Sequence, residues 1–237
     1  MSRAGAPPLI VIPDPRFMMG TDLSSGERGA RRGTLPEKKR AVPLLEALAA
    51  AALAGGADAI QLRAKALPGD EVLAVGRRLA AACRACGALF FVNDDAAAAL
   101  ACSADGVHVG PGDSAPAEAR QLLGPHGLIG VSVYEPADLA AAEAAGAAYV
   151  AVGAVYPTAT KKIAAVGLEG VRRLREATRL PIVAIGGITA ANAADAIAAG
   201  AGGVAVISAV SAAADPAGAT RELRAVVIAA LEARGRG

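Results

Sequence analysis

The 237-residue chain has no tryptophan and only 3% aromatic residues, with two histidines and three cysteines. A net charge of +2 is too small for a nucleic-acid footprint. Three cysteines, an odd number, do not make a disulfide framework. Cys83 and Cys86 form a CxxC, but it lies in RRLAAACRACGA, which reads as a helix end. Cys102 stands alone, so the pair lacks the second pair that a four-thiolate zinc site needs. Also missing is a long apolar run. Pro13 interrupts the first one, and no stretch of about 18 residues escapes charges and turn residues. These absences lead to a cytoplasmic enzyme-sized domain with no membrane segment and no nucleic-acid partner. They leave room for a local basic pocket that takes an anionic small molecule.

What the chain does have is rhythm. Hydrophobic residues make up 54%, and short β-branched or apolar runs recur at 9–12, 59–63, 88–93, 106–110, 128–133, 149–155, 181–186 and 203–208. Alanine-rich helical patterns separate them near 43–54, 70–86, 95–102, 116–123, 136–145, 168–179, 190–199 and 216–233. Helices end in glycine-containing stretches just before the next strand (AGGADAI, ACGALFF, AAGAAYV, AAGAGGVAV), where glycine suits the left-handed turn that closes a helix. Pro116, Pro136 and Pro216 stand where a first helical turn tolerates proline. Strands alternating with helices imply a parallel sheet. Eight units in this length predict a single (β/α)8 TIM barrel spanning 1–237.

One segment breaks the rhythm. Residues 14–42 carry seven basic side chains (Arg16, Arg28, Arg31, Arg32, Lys38, Lys39, Arg40) against four acidic ones (Asp14, Asp22, Glu27, Glu37). They read as a flexible basic insertion between the first strand and first helix, either solvated or acting as a lid on the active-site face.

In a barrel, chemistry collects at the C-terminal ends of strands. The second strand ends AIQLRAK, where Gln61, Arg63 and Lys65 alternate and so share one face. An amide, a planar guanidinium fork and an ammonium together suit a phosphorylated ligand, although strand-end side chains also snorkel. The third strand ends FFVNDD, and the fourth is followed by GPGD. Asp94 and Asp113 thus leave neighbouring strand ends and can converge on one hard cation such as Mg2+, with Asp95 as a helix cap. After the sixth strand, PTATKK sets Thr158, Thr160 and Lys161 where an anion would meet hydroxyls and ammonium groups, and Ser132 ends the fifth. The AIGGIT and VISAV stretches end strands seven and eight, where barrels commonly bind phosphate through backbone amides. His108 reads as a packed barrel residue and His126 as part of a surface turn. No Ser-His-Asp set or His-rich metal site emerges.

Taken in order, QLRAK, VNDD, GVHVGPGD, VSV, PTATK, AIGGIT and VISAV resemble the thiamine phosphate synthase family from about 44 to 212. The resemblance implies Mg-dependent condensation of 4-amino-2-methyl-5-(diphosphooxymethyl)pyrimidine with a (carboxy)hydroxyethylthiazole phosphate, releasing pyrophosphate by a dissociative mechanism. It implies that Gln61, Leu62, Arg63, Ala64, Lys65 and Asn93 hold the pyrimidine diphosphate, and that Asp94 and Asp113 bind Mg2+. Ser132 and Lys161 would contact the same substrate or its leaving group. Thr158, Ala159, Thr160, Gly187, Ile207 and Ser208 would hold the thiazole phosphate. Arg63, Lys65 and Lys161 would act in catalysis. Two positions depart from the family pattern: VIPDPR replaces the usual Thr-Asp pair, and Tyr134 stands where relatives often have His. A related thiazole tautomerase would lack the diphosphate and metal set and would place His at 134. Other phosphate-binding barrels would share the last two loops without needing PTATK and QLRAK, and a non-catalytic binding module would have lost the carboxylates.

Overall fold

Each strand pairs in parallel with the next, and the last pairs back onto the first, closing a barrel in sequence order. In this computed structural model, residues 7–19, 35–64, 67–158 and 164–236 are described. The strands are β1 (Leu9–Val11), β2 (Ala59–Leu62), β3 (Leu89–Asn93), β4 (Gly106–Val109), β5 (Leu128–Val133), β6 (Tyr149–Val152), β7 (Ile182–Ile185) and β8 (Gly203–Val206). The helices are α1 (Arg16–Met19), α2 (Leu35–Ala54), α3 (Gly69–Cys86), α4 (Ala96–Ala101), α5 (Pro116–Leu123), α6 (Leu139–Ala144), α7 (Gly167–Ala177), α8 (Ala193–Ala198), α9 (Ser208–Ser211) and α10 (Pro216–Gly235). Among the described residues no helix is long and apolar enough to cross a membrane.

The expected punctuation operates locally. Gly87 ends α3 in the left-handed conformation at φ 70°, and its N–H bonds the Arg84 carbonyl. Asp95 caps α4 by accepting from Ala98 N at 2.8 Å, and Asp215 caps α10 in the same way through Gly218 N. Two regions differ from expectation. The helix expected to begin at 43 starts at Leu35 and carries Pro43 inside it. Pro43 is exposed, so its missing N–H interrupts the helix on the solvent side rather than in the core. α1 at Arg16–Met19 and the first turns of α2 lie within the 14–42 segment. Residues 20–34, on which the lid reading rests, lie outside the described residues. The helix expected from 190 starts at Ala193, because Asn192 Oδ1 accepts from Thr189 N at 2.8 Å and folds residues 189–192 into a turn.

The pleat sorts side chains into two apolar layers. Val11, Ile60, Leu62, Phe90, Val107 and Val150 face outward and pack under the helices with residues such as Leu45, Leu79 and Leu174. Ile10, Ile12, Ala59, Leu89, Phe91, Tyr149, Ala151, Val183 and Ala205 fill the barrel interior. Phe91 meets the Tyr149 ring edge-on, with centroids 5.7 Å apart. Room for Tyr149 comes from Gly130 opposite, where a Cβ would lie 2.3 Å from the Tyr149 Cζ. Even alanine there would force the interior apart.

Candidate active site

The inward parity of each strand continues past its C-terminal end, and there the interior turns polar. Gln61 and Arg63 on β2, Asn93 on β3, His108 on β4 and Ser132 on β5 all share the inward register. They line a pocket of about 300 Å3 together with Asp94, Asp113, Thr158, Gly187, Ile207 and Ser208. Its floor is apolar, made by Ile10, Ile12, Tyr149, Val183, Ile185 and Ala205. An apolar slot beneath a polar rim suits a flat heterocycle carrying charged groups.

Neighbouring strands position these side chains against one another. Gln61, 4% exposed, donates from Nε2 to Asn93 Oδ1 at 2.6 Å, which turns its amide oxygen away from Asn93. Asp94 adopts φ 70°, uncommon for a residue with a side chain and one that Asp and Asn tolerate best. Two backbone bonds hold it there: Asp94 N to His108 O at 2.8 Å and Asp95 N to Asn93 O at 2.9 Å. This turn separates the two adjacent carboxylates, so that Asp94 lines the pocket while Asp95 caps α4. Asp113 folds back so that Oδ2 accepts from Gly110 N at 2.9 Å. Among the described residues no group of three or more His, Cys, Asp or Glu side chains is placed to hold a metal. Two carboxylates alone match Mg2+, which typically takes one or two protein oxygens and completes its shell with phosphate and water.

His108 is held on both ring nitrogens, Nδ1 by Tyr149 Oη at 3.0 Å and Nε2 by Ser132 Oγ at 2.9 Å. Burial pushes the Tyr149 ionisation well above the ordinary phenol value, so this hydroxyl stays protonated. On the opposite rim Gly187 adopts φ +67°, and a Cβ there would lie 2.7 Å from Tyr156 Cβ and 2.8 Å from Pro157 O. Asn192 Nδ2 donates to Gly187 O at 3.0 Å, fixing the loop after β7.

Most of the expected residues therefore meet in one cavity, with two exceptions and four that cannot be placed. Leu62 is 1% exposed and packs outward beneath the helices, and Ala64 packs against the same layer, so neither side chain reaches the pocket. Lys65, Ala159, Thr160 and Lys161 lie outside the described residues. The sequence reading did not name the apolar floor or the Ser132–His108–Tyr149 connection. Tyr134, noted only as a departure, is 38% exposed at the pocket rim.

Residues 36–210 match the family model described as thiamine monophosphate synthase. The chain belongs to this family. It is 50% identical over 196 residues to the thiamine-phosphate synthase of Moorella thermoacetica, covering 82% of this chain and 91% of that one. The corresponding protein of Methanoculleus marisnigri is 50% identical over 191 residues, with 80% and 90% covered. Among solved structures, thiamine phosphate pyrophosphorylase from Pyrococcus furiosus superposes with a TM-score of 0.76 at 38% identity, covering 94% of this chain and 96% of that one. As a thiamine monophosphate synthase family member with such relatives, the protein is a transferase of thiamine biosynthesis and a TIM barrel.

Proposed function

We propose that this one barrel catalyses Mg2+-dependent joining of 4-amino-2-methyl-5-(diphosphooxymethyl)pyrimidine to a hydroxyethylthiazole phosphate, carboxylated or not. The observation that carries this reading is the convergence of Arg63, Asp94, Asp113 and Ser132, from four consecutive strand ends, over an apolar floor. The pyrimidine ring would lie on that floor with its diphosphate toward Arg63, and the thiazole phosphate would sit at Thr158, Gly187, Ile207 and Ser208.

The chemistry needs no covalent nucleophile. The bond from the pyrimidine methylene to the diphosphate oxygen breaks, and its electron pair leaves with pyrophosphate. The electron-rich aminopyrimidine carries the resulting cation until the thiazole nitrogen lone pair forms the new carbon–nitrogen bond. Asp94 and Asp113 would hold Mg2+, which when bound neutralises charge on the leaving pyrophosphate. Arg63 would add a bidentate donor to the same oxygens, and Ser132 a hydroxyl. The apolar floor would shield the short-lived cation from water. Tyr134 stands at the rim where a tautomerase would place histidine, which favours synthesis over tautomerisation. The three free cysteines suit the reducing cytoplasm as its compartment.

Pyrophosphate release followed in the presence of both substrates tests the metal assignment. Chelation should abolish turnover and added Mg2+ restore it. Undiminished turnover in excess chelator would contradict the role given to Asp94 and Asp113.

A further inference from the structure

We propose that His108 is a positioning residue which, under the control of Tyr149, makes Ser132 an obligatory hydrogen-bond donor toward the bound ligand. Proton accounting across the barrel interior fixes the direction of each bond. Tyr149 is 1% exposed, and its hydroxyl meets His108 Nδ1 at 3.0 Å. A phenol carries one proton, and in a dry interior that proton goes to the acceptor at hand. Nδ1 is therefore the acceptor, and the neutral imidazole carries its hydrogen on Nε2. Nε2 faces Ser132 Oγ at 2.9 Å and donates to it. With that lone pair taken, the hydroxyl hydrogen of Ser132 turns to the pocket that Ser132 lines.

Several independent features hold the chain of bonds in place. The imidazole stacks on the Tyr149 ring with centroids 5.6 Å apart and planes 23° apart, and Phe91 meets the same ring edge-on. Gly130 leaves the space in which the two rings meet, since a Cβ there would lie 2.6 Å from His108 Nδ1. Burial keeps the Tyr149 phenol protonated, so the direction of donation does not reverse near neutral pH. A serine oriented this way offers its hydrogen to a diphosphate oxygen in the pocket that it lines. The proposal rests on the reading that Ser132 contacts the pyrimidine diphosphate, and it adds how that hydroxyl is aimed.

The chain has two histidines, so 15N-histidine labelling of the whole protein gives two ring systems, and a His126→Gln variant assigns them. The ligand-free wild type should show His108 neutral with its hydrogen on Nε2. Tyr149→Phe should release that preference and mix the tautomers. In kinetics, Ser132→Ala should lower kcat/KM for the pyrimidine diphosphate about 10²-fold, as expected for loss of one aimed donor. Tyr149→Phe should lower it about tenfold with the KM for thiazole phosphate unchanged, and the double variant should lose no more than Ser132→Ala alone. An Nδ1-protonated His108 in the wild type would overturn the relay whatever Ser132 does, and needs no variant of the buried tyrosine. Losses that multiply in the double variant would also overturn it. A silent Ser132→Ala would instead remove Ser132 from ligand binding, and with it the functional half of the proposal.

Discussion

The two ends of the barrel are built from the same residue types and use them in opposite ways. At the closed end, where helices return to strands, charged side chains are spent on the fold. Arg120 donates to the carbonyls of Gly124, Gly127, Ala145 and Gly146, tying two helix-to-strand loops together. Asp58 accepts from Leu9 N and pairs with Arg224, Asp105 accepts from Phe90 N, and Arg234 holds the carbonyls of Ile197 and Ala201. At the open end, Arg63, Asp94, Asp113 and Ser132 line a cavity, and Asp113 also accepts from Gly110 N. Polar groups that complete backbone hydrogen bonding stabilise the fold. Those aimed at a pocket contribute little to stability and hold their potential for a ligand.

This contrast predicts separable losses. The largest concerns the carboxylates: an Asp94→Asn, Asp113→Asn double variant should lose about 10³-fold or more in kcat/KM, since metal stabilisation of a leaving group supplies several kcal/mol. Its melting temperature should hold within about 2 °C, because Asn tolerates the left-handed turn at 94 and still offers an oxygen to Gly110 N. A large drop in melting temperature would make these carboxylates structural.

Arg63→Lys should come next, lowering kcat and kcat/KM together by roughly 10- to 100-fold through loss of the bidentate fork. The KM for thiazole phosphate and the thermal melt should stay unchanged. Normal kcat with a lowered melt would move Arg63 to the structural class.

Arg120→Ala should do the reverse at the closed end. Four carbonyls lose a charged donor, at a cost of about 2–3 kcal/mol, or roughly 5–10 °C for a chain of this size, with kcat intact. Lost activity in a variant that melts normally would break the division between the two ends.

The smallest effect is a pH dependence. Burial first, then the nearby Asp105 and Cys86 charges, push the Cys83 thiol from 9.0 up to about 12. The folded protein holds this proton above the pH at which the unfolded chain releases it. The contribution is therefore complete below pH 9 and lost progressively from 9 to 12. Denaturant midpoints measured across that range should fall less steeply for Cys83→Ala, and equal slopes would contradict the assignment.

Much of this molecule was legible in its residues, for identifiable reasons. Glycine and capping residues marked the alternation of strand and helix, and the spacing of Gln61 and Arg63 placed both on the face that the pocket uses. The same alternation directs the side chains of Leu62 and Ala64 outward, which leaves only their backbone facing the ligand. The second helix starts eight residues before the expected 43 and runs through Pro43 on its exposed side. The His108–Tyr149 pair was hidden because the partners lie 41 residues apart and meet only across the closed barrel. Gly130, whose missing side chain lets them meet, reads in the sequence as an ordinary strand glycine.

The most direct test of the whole account is a stoichiometry. The purified protein is incubated with the pyrimidine diphosphate, thiazole phosphate and Mg2+, and thiamine phosphate and pyrophosphate are quantified together. The two should appear in equal amounts, and omitting either substrate should stop thiamine phosphate formation. Pyrophosphate without thiamine phosphate when both substrates are present, or no turnover at all, would contradict it.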